Sequence, residues 1–210
     1  MNIPHIQVPK THYSHDRYMH KARWASYWHQ MREVASFAPV EVLEVGVGTG
    51  VVAATLRGRG IEIKTLDIDA ALSPDIKGSV TAIPLSEDAV DVSLAGQVLE
   101  HLPWEQVSTA LREMRRVSRK GIVVSVPDRR HTLFFCSFQI PFLGRHEIAI
   151  RIPTRKPHVF DGQHHWELGV PGYPIARFKE LAASCGLKLI RAYAPSDVPT
   201  KHFFVFEKTP

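Results

Sequence analysis

Two cysteines, Cys136 and Cys185, are too few for a disulfide framework, and reduced thiols in a cytoplasmic protein are the expectation. No apolar run approaches the roughly 18 residues of a membrane-spanning helix. The opening Met1-Asn2-Ile3-Pro4-His5 has no charged stretch leading into a hydrophobic one, so a secretory signal is not expected. Neither the cysteines nor the 12 histidines fall at zinc-site spacings, and no metal is expected. There is no internal repeat and no second-domain boundary. What remains is a chain of 210 residues with 44% apolar and 22% charged content, enough for one domain with a full core. The net charge of +5 raises the question of an acidic partner. The cations are scattered, however, with Arg112, Arg115, Arg116, Arg119 and Lys120 gathered at one helix end, where they suit the helix dipole.

The organising stretch is Val42-Leu43-Glu44-Val45-Gly46-Val47-Gly48-Thr49-Gly50. Its apolar start reads as a central parallel strand. Glycines at alternate positions let the backbone turn sharply and let a ligand approach. Val51 to Leu56 can open a helix whose free N–H groups face that ligand. A dinucleotide fingerprint would need its third glycine where Val51 stands. A second strand, Glu62 to Leu66, ends at Asp67, about 20 residues beyond the first glycine, where a carboxylate can meet ribose hydroxyls. The competing reading of Asp67 is a cap for the following helix.

A fourth strand over Asp88 to Ala95 leads into Gly96-Gln97-Val98-Leu99-Glu100-His101-Leu102-Pro103. With Leu-Glu-Val-Gly at the first strand, this block resembles the class I S-adenosylmethionine-dependent methyltransferases, most closely the small type 11 group. The resemblance covers roughly residues 40 to 127. It implies an α/β, three-layer Rossmann-like fold, with a mostly parallel seven-stranded sheet and a C-terminal antiparallel hairpin. It implies S-adenosyl-L-methionine as cofactor and S-adenosyl-L-homocysteine as product. Glu44, Gly46, Val47, Gly48 and Gly50 would wrap the methionine part, and Asp67 and Ile68 the ribose. Gln97 would lie near the sulfonium. Where the family carries an aspartate for the adenine amino group this chain has Ser79, so the Ser79 hydroxyl or the Val80 backbone would serve. Glu100 and His101 would face the acceptor, or else be a helix-entry acid and a structural histidine.

Around that core, a helical pattern runs from about His15 to Phe37, with Trp24, Tyr27, Trp28, Met31, Val34 and Ala35 on one face. It is either a helix packed on the sheet or a lid whose Tyr13, Tyr18 and Trp24 lie over the cofactor, with Tyr18 and Trp24 expected to bind the substrate. Residues 77 to 85 read as a short third strand and its loop. Pro103 opens a helix with Val107, Ala110, Leu111, Met114 and Val117 buried and Gly121 as its stop, before a fifth strand over Ile122 to Val126. Residues 127 to 173 mix prolines, aromatics and histidines without a sustained period, apart from a short helix expected around Leu133 to Phe142. So many aromatics must pack on something. This segment is expected to form a lid over the acceptor, with Trp166 against the substrate and His164 or His165 as base; the other reading has both histidines tying the lid down. Pro174 to Cys185 is a helix, and Leu187 to Ala192 and His202 to Glu207 are the last strands.

The organisation expected is one domain over residues 1–210: a helical cap (1–38), a cofactor-binding core (39–126), an inserted lid (127–173) and a last helix with strands (174–210). The expected function is methyl transfer to a small-molecule acceptor, an oxygen nucleophile. Many amine methyltransferases carry an Asn/Asp-Pro-Pro-Tyr/Phe block after the fourth strand, and this chain does not. The alternatives are action on RNA or protein, or a non-catalytic cofactor-binding module. A small-molecule partner is preferred to nucleic acid. The sequence leaves the oligomeric state open.

Overall fold

The computed structural model describes Thr11 and residues 18–209. Tyr13 and the expected start of the first helix lie outside the described residues. The elements in order are α1 (Lys21–Ala35), β1 (Glu41–Val45), α2 (Val51–Gly58), β2 (Glu62–Asp67), β3 (Ile76–Lys77), β4 (Val90–Gly96), α3 (Trp104–Val117), β5 (Ser118–Pro127), β6 (His131–Ile140), β7 (Gly144–Ile152), α4 (Ile175–Ser184), β8 (Leu187–Tyr193) and β9 (Lys201–Lys208). Seven strands form one sheet in the order β3-β2-β1-β4-β5-β9-β8. The pairs from β3 to β5 are parallel, whereas β9 is antiparallel to both β5 and β8. The fold class expected from the sequence, closing antiparallel pair included, is the one observed.

The central strands are apolar because both sheet faces are covered. On one face α1 and α2 bury Tyr27, Val34, Val52, Ala53 and Leu56 over Val42, Ile63, Val92, Leu94 and Val123. On the other, α3 and α4 bury Val107, Leu111, Met114 and Phe178 over Leu43, Val45, Val124, Phe204 and Phe206. Each such large side chain contributes about 1.5–3 kcal/mol when fully buried. The five residues expected on the buried face of α3 are the five found there.

Several boundaries and faces differ from the expectation. Gly121 does not stop α3; the helix ends at Val117, and Gly121 pairs with Glu207 inside β5. On α1 the apolar repeat misassigns the face. Trp24 and Trp28 are half exposed, while the buried side carries Ser26, His29, Gln30 and Glu33 beside Tyr27 and Val34. That polar face is satisfied by the distant β8 region: Tyr193 Oη donates to Glu33 Oε1 at 2.7 Å, and His29 Nε2 lies 2.9 Å from Asp197 Oδ1.

The largest difference is in residues 127–173, expected as a lid. No helix forms around Leu133; β6 and β7 make a two-stranded antiparallel hairpin apart from the main sheet. Phe134, Phe138, Ile140, Ile148 and Ile150 stay exposed along it, and Phe142 at the tip is fully exposed. Among the described residues these side chains do not pack on the body, one of the covers expected for them. The base of the hairpin is anchored. The buried Arg151 guanidinium donates to Pro199 O at 2.9 Å and Ala194 O at 3.0 Å. Beside it, burial pushes the Asp128 carboxyl up, but bonds from His202 and Arg130 prevail and hold it far below the usual carboxylate range.

Candidate active site

The glycine turn leaves the carboxyl end of β1, and β2 braces it. Gly46 N–H donates to Leu66 O at 2.8 Å. Val47 N–H donates to Asp67 Oδ2 at 2.9 Å, and Asp69 N–H to Asp67 Oδ1 at 2.9 Å. Gly46, Gly48 and Gly50 have φ of 83°, 52° and 72°, the left-handed region that a side chain disfavours. At Gly46 an added Cβ would also meet Val98 Cγ2 at 2.6 Å. Tyr27 Oη and Thr49 Oγ1 hydrogen-bond at 3.0 Å and fasten the turn to α1. Capping of the next short helix falls to Asp69, whose Oδ1 accepts from Ala71 N–H at 2.9 Å. Asp67 is thereby released from the capping role weighed for it.

These residues open on a cavity of about 680 Å³ at the carboxyl edge of the sheet. Open α/β sheets bind ligands there, where strand order reverses. Glu44, Gly46, Val47, Gly48, Asp67, Ile68, Ser79, Val80 and Gln97 all line it. Gly50 does not; it sits at the N-cap of α2. Tyr18, Glu100, His101, His164 and His165 line the cavity too, so the far lid segment does reach the site. Besides Gly50, two expectations need correction. Trp24 points away to solvent and does not line the cavity. Trp166 is a core residue, fully buried against Phe178 with its Nε1–H donating to Leu102 O at 3.2 Å. An indole there packs the lid segment onto the body and cannot touch a substrate.

The two ends of the cavity differ in chemistry. At the glycine end, burial pushes the Glu44 carboxyl up to about 8, against a hydrogen bond from Ala53 N–H. Its Oε2 is buried with no hydrogen-bond partner among the described residues. That orphaned oxygen fits a cationic amino group. Asp67 spends one acceptor site per oxygen on backbone N–H groups; each oxygen has a second, which fits a pair of ribose hydroxyls. Ser79 Oγ is 2.8 Å from Thr81 Oγ1 and accepts from Thr81 N–H at 3.2 Å. The residues present thus fit the cofactor expected from the sequence.

The other end gathers proton-handling groups. Glu100 is fully enclosed, and burial pushes its carboxyl up to about 7 despite the nearby His164. Burial, with His164 adding to it, holds the His101 imidazole down at about 4. Burial alone would lower His164, but the hydrogen bond to Glu167 and the charge of Glu100 raise it. Lys201, buried at the head of β9, is pulled down to about 7 by burial and by Arg23.

Residues 43–125 match the family model described as a methyltransferase domain. That match runs from β1 into β5, the stretch that carries the glycine turn, Asp67 and Glu100. Its fold resembles the 1,6-didemethyltoxoflavin-N1-methyltransferase of Burkholderia thailandensis, solved with 1,6-didemethyltoxoflavin and S-adenosylhomocysteine. The TM-score is 0.63 at 13% identity, over 93% of this chain and 82% of that one. The N-methyltransferase NodS of Bradyrhizobium japonicum, in complex with S-adenosyl-L-homocysteine, aligns with TM-score 0.61 at 11% identity over 96% of each chain. Magnesium protoporphyrin IX methyltransferase of Synechocystis aligns with TM-score 0.56 at 12% identity, over 90% of this chain and 78% of that one. No curated protein sequence matches the chain.

Sequence reasoning missed several residues that line the cavity: Arg23, Gln30, Thr49, Gln163 and Lys201. Lys201 carried a usable signal. A lysine heading an antiparallel strand paired with β5 lies beside the carboxyl end of β5, opposite Pro127. Arg23 and Gln30 had none, because the apolar repeat pointed to the wrong face of α1.

Proposed function

We propose that the protein transfers a methyl group from S-adenosyl-L-methionine to a hydroxyl oxygen of a small molecule. The observation that carries this reading is one cavity joining the glycine turn and Asp67 to Glu100, His101, His164 and Lys201. Its volume of about 680 Å³ is in the range of small-molecule sites.

S-adenosyl-L-methionine, when bound, supplies a methyl group already activated on a positively charged sulfur. The chain's own work is then alignment, solvent exclusion and proton handling. Glu44 would hold the amino group, Asp67 the ribose, and Ser79 or the Val80 backbone the adenine edge. Gln97 is fixed at φ 62°, with its N–H on Ser125 O at 2.9 Å, at the boundary between the two ends. Tyr18 and Arg23, the guanidinium 4.1 Å from the ring centroid, form part of the wall. A hydroxyl acceptor must lose a proton, whereas a neutral amine can attack without that help. A buried lysine titrating near 7 is matched to that task at neutral pH. Lys201 is therefore the leading base, with His165 also on the cavity wall.

The test is incubation with S-adenosyl-L-methionine and a panel of hydroxylated and amine-bearing small molecules, RNA and protein. Formation of S-adenosyl-L-homocysteine and methylated product is followed by mass spectrometry. Methyl ethers of low-molecular-weight acceptors are expected. Methylated RNA or protein, or amines alone as products, would overturn the reading.

A further inference from the structure

We propose that Glu100, His101 and His164 form a site for one divalent transition-metal ion at the acceptor end of the cavity. This departs from the absence of a metal expected from the sequence, where the three residues lie too far apart for any spacing rule to join them.

Glu100 and His101 sit on the short 3-10 turn that follows β4, and His164 comes from the loop after the hairpin. Backbone contacts pin the two segments together. His165 N–H donates to Glu100 O at 2.8 Å, and Asp161 Oδ1 accepts from Gln163 N–H at 2.9 Å and His164 N–H at 2.8 Å. One ligand atom from each of the three side chains then lies within 4.8 Å of the others. A closed shell with bonds of about 2.1 Å needs separations of about 3.4 Å.

Two independent observations point to a cation. Glu100 is fully buried, and both carboxylate oxygens lack a hydrogen-bond partner among the described residues. Glu100 thus offers two open acceptor oxygens, with His164 and Lys201 as the positive charges that act on it. The imidazoles are also oriented as metal ligands are. His164 Nδ1 lies 2.8 Å from Glu167 Oε1, and His101 Nδ1 lies 3.0 Å from Gln163 O. A carboxylate and a carbonyl can only accept, so Nδ1 is the donor in both contacts, and in the neutral His164 ring Nε2 carries the lone pair. Metal-binding histidines are held in this way by a carboxylate or a backbone carbonyl. Glu167 is itself fixed by Arg129 Nε at 3.2 Å and His158 Nδ1 at 3.5 Å.

Two imidazoles and one carboxylate favour zinc, iron, cobalt or nickel over magnesium or calcium, and three protein ligands leave open positions toward the cavity. With the oxygen acceptor proposed above, an open position would take the hydroxyl oxygen and ease loss of its proton to Lys201. That use rests on the methyl-transfer reading, whereas the metal site itself does not.

The test uses the full chain, stripped with a chelator and titrated with Co2+ alone. Visible absorption reads ligand-field bands, and Zn2+ serves as competitor. One Co2+ per chain, displaced by Zn2+, is expected. Glu100→Gln and His164→Ala should each weaken binding at least tenfold, and Glu167→Gln by about tenfold. Failure of the unmodified protein to bind one equivalent, or equal affinity in E100Q and H164A, would overturn the site. Titration of S-adenosyl-L-homocysteine into the same samples separates the two readings. Its loss with Co2+ binding intact counts against the methyl-transfer reading alone.

Discussion

The backbone N–H of Val47 donates to the Asp67 carboxylate across 2.9 Å, which ties the glycine turn to the end of β2. Asp67→Ala removes this bond and the one from Asp69 N–H as well as the acceptors offered to a ribose. Affinity for S-adenosyl-L-homocysteine should fall by about 1.5–3 kcal/mol for each charged hydrogen bond lost. Asp67→Asn keeps one oxygen and should lose less. Equal affinities in calorimetry for both variants and the parent would show that Asp67 only braces the turn.

Gly121 faces the backbone carbonyl of Phe206 and the ring of Phe37 at distances no Cβ can share. Gly121→Ala should therefore destabilise the fold by about 1–3 kcal/mol or more through overpacking. A melting temperature equal to the parent's would mean that β5 and β9 are free to separate there.

Two carboxylates tie stability to pH. Burial pushes Asp91 up, but bonds from Val40 N–H, Arg119 and Glu41 N–H prevail and hold it at about 2. Asp128 is also held below the ordinary carboxylate range. Folded values below the unfolded value of about 3.9 mean that the folded state binds fewer protons in this window. The stabilisation is complete above about pH 4 and is lost as pH falls through the folded values. Urea midpoints should drop between about pH 4 and pH 2, and less steeply in Asp91→Asn. A parent midpoint flat across that range would contradict the assignment.

The hairpin tip contributes nothing to the core. Phe142 is fully exposed, and so is most of Leu143. Replacing both by serine should change stability by no more than about 0.5 kcal/mol. A large fall in the urea midpoint would mean that the tip packs on the body.

The parts of this fold that could be read in advance are those where local pattern and burial coincide. Val42 to Gly50 and Asp67 are fixed by chain geometry, and α3 shows its five buried residues at regular spacing. The hairpin was illegible because apolar residues fill consecutive positions from Leu133 to Cys136, which hides the two-residue alternation of a strand. Trp166 and Trp24 were misread for one reason. An aromatic marks a surface to be covered, and the sequence does not say whether core, solvent or ligand covers it. The pairing of Glu100 with His164 depends on the return of a distant loop, which no local pattern encodes.

The central claim is that the glycine turn binds S-adenosyl-L-methionine, and calorimetric titration of that compound tests it most directly. One site per chain is predicted, with a dissociation constant between about 1 μM and 1 mM, typical of enzyme substrates. In Gly48→Val, where φ is 52° and the side chain would enter the turn, the heat should vanish while the far-ultraviolet circular dichroism spectrum stays unchanged. No binding by the parent protein, or undiminished binding by the folded variant, would contradict the account.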